Sequence, residues 1–368
     1  MRIVQLANLY SPVSGGLRTA VNALGRGYVA AGHERVLIVP GAVESRVETD
    51  TDGLVITVPG VPVGAGYRMI TNTGQVLRLL DELAPNSVEV SDKLTLTRVG
   101  RWARRAGVRS VLLSHERLDA ILAPRVPDWV PLERVADLWN RRLVGSFDAI
   151  VVTSAFAREE FERIGAPSLF QVPLGVDLET FRPRGDTGSH HETRLVYVGR
   201  LSAEKHPDLV LGAVRVLTRR GLAVRLDVLG DGPARERLER ETSDLPVVFH
   251  GHVGDRAEVA EKIGAADIAL APCPVESFGL SVLEALACGT PVVAAARGAA
   301  PELLTPGAGL AVPPTDEGLA DGVETVLTWP AEDRRRRARA RAEEFPWSAT
   351  VDRMLAVHAG APVPAGVG

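Results

Sequence analysis

Two glutamates flank a glycine-containing turn in the segment 272–294, PCPVESFGLSVLEALACGTPVVA. The apolar run 266–272 before it predicts a buried strand, and residues 280–287 predict a short helix ended by glycine and proline. Glu276 then lies in the loop between strand and helix, and Glu284 lies about two turns further on. This segment is the most informative part of the chain for function, because it places two carboxylates on either side of a turn that leads into a helix.

The residues between the two glutamates favour an anionic, hydroxyl-rich ligand. Ser277, Phe278 and Gly279 expose backbone N–H groups where the helix begins, and the helix dipole favours negative charge there. A nucleotide or a phosphorylated sugar has the matching chemistry. The same pattern also fits a simpler structure, in which one glutamate caps the helix and the other is solvated, and the glutamates alone do not decide between them.

Bulk composition describes an ordinary globular protein. The 368 residues suffice for two domains, with 45% hydrophobic and 24% charged residues and a net charge of −4. That charge gives no support to nucleic-acid binding. Cys273 and Cys288 are the only cysteines, so we expect no disulfide framework and a reducing cytoplasm. We expect neither a cleaved leader nor a membrane-spanning segment, because no apolar run is long enough.

Short apolar strands alternate with amphipathic helices, a pattern typical of parallel sheets built from right-handed βα units. After Phe181 a polar segment rich in Pro, Gly, Ser and His predicts a linker, and the alternation then begins again. We therefore predict an α/β protein of two doubly wound domains, residues 1–182 and 190–346. The Pro- and Gly-rich tail, residues 361–368, is predicted to be disordered.

Ligands of open parallel sheets bind beyond the carboxyl ends of the strands, so polar residues and glycines there are candidates for a site. Gly15 and Gly16 follow the first predicted strand and allow close approach of a diphosphate, although a tight turn would explain them equally well. His115 directly follows another strand. A lone histidine is more often structural, but its strand-end position favours a functional role.

The second predicted domain carries basic residues at the equivalent position. Arg200 ends its first strand and Lys205 follows in the same loop, so a guanidinium and an ammonium could together neutralise a diphosphate. A solvated basic loop is the alternative. Gly230 ends the next strand in a turn that could face phosphate or ribose. The acidic residues at 50–52 read as a surface turn, and we predict no metal site.

Six short motifs follow one another along the chain. They are Ser14-Gly-Gly16, Pro173-Leu-Gly-Val-Asp177, Val198-Gly-Arg-Leu-Ser-Ala-Glu-Lys205, Gly230-Asp-Gly-Pro233, Phe249-His-Gly251 and the Glu276 to Glu284 segment with its Gly-Thr-Pro-Val ending. In this order they resemble the family 4 retaining glycosyltransferases. The resemblance implies the GT-B fold, two Rossmann-like domains facing across a cleft, with a last helix at about residues 347–360 completing the first domain.

Three segments of the first half resemble a narrower group, the mannosyltransferases that use GDP-mannose to modify phosphatidylinositol mannosides. They are Glu89-Val-Ser-Asp92, Ser114-His-Glu-Arg-Leu-Asp119 and Phe156-Ala-Arg-Glu-Glu-Phe161. The resemblance implies a retaining hexosyltransferase that moves mannose to a glycolipid hydroxyl by front-face substitution. It implies a nucleotide sugar as co-substrate, with no cofactor and no obligatory metal.

The resemblance also implies a role for each candidate residue. Arg200 and Lys205 would bind the donor diphosphate and stabilise the leaving group, and His115 would contact the donor sugar near its anomeric carbon. Glu276 would bind sugar hydroxyls and Glu284 the ribose hydroxyls. Backbone contacts would come from Phe278, Gly279, Leu280 and Gly230, and the Gly16 loop would close over the phosphates and the acceptor.

Membrane contact is a separate hypothesis. Arg101, Trp102, Arg104 and Arg105 belong to a dense basic stretch of the first domain, and a second stretch with Trp follows at 129–142. Basic helices with Trp suit an anionic lipid surface, and a solvated helix face is the alternative. On this hypothesis the protein works in the cytoplasm, peripherally bound to the inner face of the cell membrane.

Two other functions compete with the mannosyltransferase. One is a UDP-sugar-dependent transferase acting on a soluble natural product or a thiol precursor. The other is a catalytically silent nucleotide-sugar binding module, which would keep Arg200 and Lys205 but show no turnover. An epimerase of the same fold is disfavoured, because the basic loop combined with the two glutamates is the transferase pattern.

Overall fold

The computed structural model describes residues 1–11, 15–64, 66–119, 126, 129–183 and 191–364. It divides into two compact units, one made of Met1–Leu174 with Trp347–Gly368 and the other of Gly175–Pro346. Ser14, residues 184–190 of the predicted linker (182–191) and the end of the tail lie outside the described residues. Residues 361–364 follow the last helix without regular secondary structure.

The first unit is a parallel sheet flanked by helices, as the strand–helix alternation predicted. Its strands are β1 (Arg2–Leu6), β2 (Glu34–Gly41), β3 (Ser45–Thr49), β4 (Gly53–Pro59), β5 (Val61–Gly64), β6 (Tyr67–Met69), β7 (Ser87–Val90), β8 (Arg109–Ser114), β9 (Ala149–Val152) and β10 (Leu169–Gln171). Its helices are α1 (Gly16–Ala30), α2 (Thr73–Leu83), α3 (Arg98–Ala106), α4 (Leu132–Val144), α5 (Ala155–Glu162) and, from the end of the chain, α12 (Trp347–Ala359).

Within the described residues the main sheet has the order β10-β9-β8-β7-β1-β2-β4-β3, and only β3 runs antiparallel. The segment from β3 to β6 was not predicted from the sequence. It forms one hairpin, β3–β4, whose turn contains the acidic residues at 50–52, and a second small hairpin, β5–β6. Because every residue of β3 and β5 is exposed, these strands lack the apolar alternation that marks a strand in sequence.

A buried polar cluster holds α12 against the first unit. His358 hydrogen-bonds Ser87 Oγ through Nδ1 at 2.7 Å and Glu89 Oε2 through Nε2 at 3.1 Å. Tyr28 and Gln5 also donate to the Glu89 carboxylate, at 2.7 and 2.8 Å. Although burial alone would raise the pKa of Glu89, these donors hold it below its ordinary value. The helix is thereby tied to the centre of the sheet by satisfied polar groups as well as by apolar packing.

The second unit repeats the architecture. Its elements are β11 (Thr193–Val198), a 3-10 turn (Ala203–Lys205), α6 (Pro207–Arg219), β12 (Val224–Leu229), α7 (Arg235–Glu241), β13 (Val247–Gly251), α8 (Arg256–Gly264), β14 (Ile268–Ala271), α9 (Leu280–Ala287), β15 (Val292–Ala295), a 3-10 turn (Ala300–Leu303), β16 (Gly309–Val312), α10 (Asp316–Leu327) and α11 (Ala331–Glu343). Over these residues the sheet order is β13-β12-β11-β14-β15-β16, and all neighbours are parallel.

The chain leaves the first unit earlier than the sequence predicted. Residues 175–182 belong to the second unit rather than to the first. The backbone N–H of Val176 donates to the Phe345 carbonyl at 2.9 Å, and Val176 pairs with Pro346 as an isolated bridge. The Arg339 guanidinium of α11 donates to the Phe181 carbonyl at 2.9 Å. These long-range bonds pull the segment onto the second unit, and local sequence does not encode them.

Candidate functional site

The sheet of the second unit has a topological switch point between its two central strands. From β11 the connections proceed outward to β12 and β13 on one side, whereas β14 leads to β15 and β16 on the other. The loops that follow β11 and β14 therefore diverge and leave a crevice at the carboxyl edge, which is where open α/β sheets bind ligands. The β11 loop carries Arg200 and Lys205, and the β14 loop carries Glu276.

Glycine allows the loops after β11 and β12 to come into contact. Gly230 has φ +149°, and a Cβ there would lie 1.8 Å from the Gly199 carbonyl oxygen. The Leu201 N–H donates to the Asp231 carbonyl at 3.0 Å, and the Leu201 carbonyl accepts from Ala234 N–H at 3.0 Å. The backbone beside Arg200 is thus fixed by its neighbour, so the predicted Gly230 turn supports the basic loop directly.

Lys205 and Glu276 form an ion pair, although the sequence separates them widely. Lys205 Nζ lies 2.7 Å from Glu276 Oε2, and the two side chains are 33% and 24% exposed. Burial opposes ionisation of both, but each charge stabilises the other, so the pKa of Lys205 is raised and that of Glu276 is lowered. Both groups are therefore fully charged near neutral pH, at the switch point of the sheet.

The Glu276 carboxylate also accepts the backbone N–H groups of Ser277 and Phe278, which help to lower its pKa. The sequence suggested that these N–H groups would face a ligand. In this structure they donate to the carboxylate of Glu276 instead. Gly279 follows with φ +98° and leads into α9, which begins at Leu280. Gly298, from the loop after β15, packs on this turn, because a Cβ there would lie 3.0 Å from Glu276 N.

Glu284 lies on α9 and has a cationic partner that the sequence did not reveal. Arg256 Nη2, at the start of α8, lies 3.2 Å from Glu284 Oε1. Burial raises the pKa of Glu284 to about 7, Arg256 opposes the rise, and Asp177 adds to it. The two glutamates of the opening segment therefore differ, since Glu276 stays ionised and Glu284 titrates near neutrality.

In the first unit, the structure places His115 directly after β8. Its Nε2 is buried and has no hydrogen-bond partner among the described residues. The pKa of His115 is lowered to about 4, chiefly by burial; the Glu89 charge opposes this shift and the Lys93 charge adds to it. The imidazole is therefore neutral at physiological pH. Gly16 is the first residue of α1, and its loop is described only from Gly15 onward.

A second ion pair lies beneath the His115 loop. Lys93, three residues after the end of β7, pairs with Glu160 of α5, and both side chains are buried. Lys93 Nζ also donates to the Glu116 carbonyl at 2.5 Å. Asn140 donates to the other Glu160 oxygen at 3.0 Å. This network fixes the segment after His115, and its signal in sequence is that lysine is rare in this chain, with Lys93 one of three.

The predicted membrane surface on α3 requires a correction at Trp102. Its side chain is only 8% exposed, packs in the apolar core and donates from Nε1 to Asp81 Oδ1 at 2.7 Å. Arg101, Arg104 and Arg105 remain exposed. Within the described residues the helices are too short or too polar to cross a bilayer, and no three metal-binding side chains come together.

Models of known families match both halves of the chain. A glycosyl transferases group 1 model matches residues 184–345, and a glycosyl transferase 4-like domain matches residues 15–175. The GDP-mannose-dependent alpha-(1-6)-phosphatidylinositol dimannoside mannosyltransferase of Mycobacterium tuberculosis is 46% identical over 97% of this chain and 95% of its own length. The corresponding monomannoside enzyme of Mycolicibacterium smegmatis is 32% identical over 74% of this chain and 77% of its own.

Solved structures show the same fold at low sequence identity. Sucrose-phosphate synthase from Thermosynechococcus elongatus superimposes with a TM-score of 0.83 over 98% of both chains, at 21% identity. Anabaena HepE in complex with UDP and glucose gives a TM-score of 0.75 over 98% of this chain and 100% of its own, at 18% identity. These similarities confirm the predicted GT-B class of two Rossmann-like domains. The chain therefore belongs to the group 1 glycosyltransferases.

Proposed function

We propose that this glycosyltransferase moves mannose from GDP-mannose to a hydroxyl of a phosphatidylinositol mannoside, with retention at the anomeric carbon. The observation that carries the proposal is the charged Lys205–Glu276 pair at the switch point of the second sheet. A cation and a hydroxyl-binding carboxylate held together suit a sugar diphosphate. The 46% identical relative, named for this donor and a dimannoside acceptor, supports the choice of substrates.

On this proposal the basic loop binds the donor's diphosphate. A lysine ammonium has three N–H donors, and the hydrogen bond to Glu276 uses one of them. Lys205 can therefore hold phosphate oxygens while it keeps Glu276 in place. Arg200 adds a second positive charge from the same loop, and the backbone at Gly230 supports that loop. Together the two cations neutralise the charge that develops on the leaving GDP, so the reaction needs no metal ion.

The remaining donor contacts follow from the same segment. Glu276 accepts hydrogen bonds from hydroxyls of the mannose, and Glu284 accepts hydrogen bonds from the ribose hydroxyls. Gly279 and Leu280 offer backbone N–H groups at the start of α9 to the sugar or the phosphates, whereas the Phe278 N–H donates to the Glu276 carboxylate in this structure. In the first unit, His115 is neutral because of its low pKa, so it acts as an uncharged hydrogen-bonding group, and the missing Cβ at Gly16 permits close approach of a ligand to the backbone.

The transfer step is a front-face substitution. The bond from the anomeric carbon to the phosphate oxygen breaks, and GDP leaves with the electron pair. The acceptor oxygen forms its new bond on the same face, and its proton passes to the departing phosphate oxygen. No protein nucleophile takes part, so Glu276 binds and orients rather than attacks.

The test is transfer of labelled mannose from GDP-mannose to phosphatidylinositol mannosides in mixed vesicles. We expect the parent protein to form a labelled glycolipid, and Glu276→Ala to lose transfer while it still binds GDP. Glu236→Ala is the matched control, because Glu236 is an exposed glutamate on α7. The proposal fails if Glu276→Ala transfers mannose at the parent rate.

Donor binding separates the competing functions. Titration of the protein with GDP-mannose, UDP-glucose and UDP-galactose should show binding of the GDP sugar. Tighter binding of a UDP sugar would instead support the transferase of soluble acceptors. Binding without turnover on any acceptor would leave only the silent module.

The acceptor is a lipid, so we propose that the protein binds an anionic membrane surface through α4. On this helix Leu138 is 73% exposed and Val135 48%, and Arg141 and Arg142 are exposed as well. Trp129, which lies three residues before α4, is 83% exposed. Apolar side chains bordered by cations are the pattern of interfacial helices. This face replaces Trp102, which is buried in the core.

Vesicle sedimentation tests the α4 face. Leu138→Asp should reduce binding to vesicles that contain phosphatidylinositol, without loss of GDP binding. Val47→Asp is the control, because Val47 is also an exposed apolar side chain, 56% against 73% for Leu138, and lies on β3 of the same unit. If both variants bind vesicles as the parent protein does, α4 is not the membrane surface.

A further inference from the structure

Glu284 lies in an electrostatic environment formed by two opposite charges. Its side chain is 13% exposed, and Arg256 Nη2 lies 3.2 Å from its Oε1. Asp177, from the segment that enters the second unit, acts on it with the opposite sign. The state of this carboxylate therefore depends on a single favourable cation set against burial and a like charge.

Arg256 is itself held in position by the same part of the molecule. Its guanidinium lies over the Phe181 ring, 4.9 Å from the centroid, and Phe181 is 1% exposed. Arg339 donates to the Phe181 carbonyl at 2.9 Å and to the Ala287 carbonyl at 3.0 Å. Ala287 is the last residue of α9, so the aromatic surface under Arg256 is tied to the helix that carries Glu284.

The position of Arg256 in α8 does not explain why a cation is found there. Arg256 is the first residue of α8, where the helix dipole disfavours a cation. Asp255 caps the N-terminus of α8, because its side chain accepts a hydrogen bond from Ala257 N–H at 2.9 Å. A cation at this position is therefore explained by contacts outside α8, among them those with Phe181 and Glu284.

Other charged groups near α9 have partners elsewhere. Arg335 of α11 donates to the carbonyls of Gly264 and Ala266, at 3.3 and 2.8 Å. Arg339 pairs with Glu343 at 2.8 Å besides its backbone contacts. Among the described residues, Arg256 and Asp177 are the charged groups that influence the Glu284 carboxylate.

We propose that Arg256 is a positioning residue for the nucleotide, which holds the Glu284 carboxylate ionised and oriented to accept the two ribose hydroxyls. This inference rests on the proposed function, since it assumes that Glu284 binds ribose. It adds a residue from α8 to the donor site, and it makes nucleotide affinity depend on pH.

The pH dependence follows from the two charges. Burial raises the pKa of Glu284 to about 7, and Arg256 limits the rise. Without the guanidinium the pKa of Glu284 rises further, so the carboxyl is protonated at neutral pH and accepts hydroxyls poorly. High pH restores the carboxylate in such a variant, whereas a structural defect would not respond to pH.

Calorimetric titration with GDP and with 2′,3′-dideoxy-GDP, between about pH 6 and pH 9, tests the proposal. We expect Arg256→Met to weaken GDP binding about tenfold at neutral pH and much less at the upper end, and to leave dideoxy-GDP binding unchanged. Arg256→Lys should restore most of the affinity. Lys262→Met is the control, because Lys262 lies on the same helix and pairs only loosely with Glu258, at 3.7 Å.

Two results would overturn the proposal. One is an equal loss of GDP and dideoxy-GDP by Arg256→Met, which would mean direct contact with the diphosphate or a structural defect. The other is a loss that does not change with pH. Failure of the proposed function would give a different result. If Glu284 does not bind ribose, Glu284→Gln binds GDP as tightly as the parent protein. If the parent protein prefers UDP, the same titrations are repeated with UDP and its dideoxy analogue.

Discussion

Glu284 offers a prediction in which stability and function respond in opposite directions. Replacing Glu284 with glutamine keeps the size of the side chain and removes its charge. The carboxyl is nearly buried, and burial raises its pKa to about 7 from an ordinary value of 4.5. We expect Glu284→Gln to be more stable than the parent protein above neutral pH and to bind GDP more weakly.

The magnitude follows from proton linkage. Below about pH 4.5 the carboxyl is protonated in both the folded and the unfolded chain, so it has no net effect on stability. Between the two pKa values the folded chain retains a proton that the unfolded chain releases, so stability falls as pH rises. Above about pH 7 both forms are ionised, and the loss is complete. At about 1.4 kcal/mol for each pH unit, it amounts to roughly 3 kcal/mol.

The net gain from glutamine is smaller, because burial also desolvates its amide, whereas the effect of the ion pair with Arg256 is already contained in the pKa of about 7. That guanidinium is 41% exposed and remains solvated, so its loss of partner is mild. We expect a gain of about 1–2 kcal/mol near pH 8, which corresponds to a rise in Tm of roughly 2–8 °C for a domain of this size.

Scanning calorimetry between about pH 5 and pH 9 measures the difference, with GDP used to identify the transition of the second unit. The Tm difference between variant and parent should be largest near pH 8 and should shrink as pH falls. Glu236→Gln, an exposed glutamate, controls for the loss of a charge. A difference that stays constant with pH, or a variant less stable than the parent at pH 8, would refute the reasoning.

Three other substitutions test separate parts of the site. Lys205→Met should weaken GDP binding by about 1.5–3 kcal/mol in titration calorimetry, whereas Lys262→Met should not, and equal affinities would remove Lys205 from the site. Gly230→Ala should lower the unfolding free energy by about 2–5 kcal/mol, because its Cβ would meet the Gly199 carbonyl. Gly254→Ala is the control and should be neutral, because there is open space around that position. Similar Tm values for the two variants would contradict the close approach at Gly230. The plot of transfer rate against pH should show no ionisation of His115 between about pH 6 and pH 8, since its pKa is lowered to about 4. A change of rate with pH in that range that is lost in His115→Asn would contradict this.

The parts of the site that lie close together in sequence could be predicted. The strand before Glu276, the turn at Gly279 and the helix that carries Glu284 all follow from apolar runs and breaker residues. The two-domain α/β class followed from the strand–helix alternation, and the order of the motifs identified the family. Each of these inferences depends on local pattern, which the sequence shows directly.

Partners that come from distant segments could not be predicted in the same way. Arg256 meets Glu284 only because α8 packs beside α9, and Glu89 meets His358 only when the end of the chain returns to the first unit. No spacing rule links residues so far apart. Trp102 was different, because a local signal existed and was missed.

That signal is the period of α3. Trp102 and Ala103 lie three and four residues after Val99, which places them on the same helix face, and all three are buried. The arginines occupy the other faces. Composition suggested a basic helix with an exposed Trp, whereas periodicity places the ring in the core, and periodicity is the stronger physical argument.

The two glutamates of the opening segment show how environment divides one residue type between two tasks. Glu276 has an ammonium 2.7 Å away and two backbone donors, so it stays ionised at the switch point. Glu284 has one guanidinium at 3.2 Å and a like charge nearby, so it titrates near neutrality. Neither cation belongs to the segment. The function of the segment therefore depends on the loop after β11 and on the start of α8, and substitutions at Lys205 and Arg256 should affect the two glutamates separately.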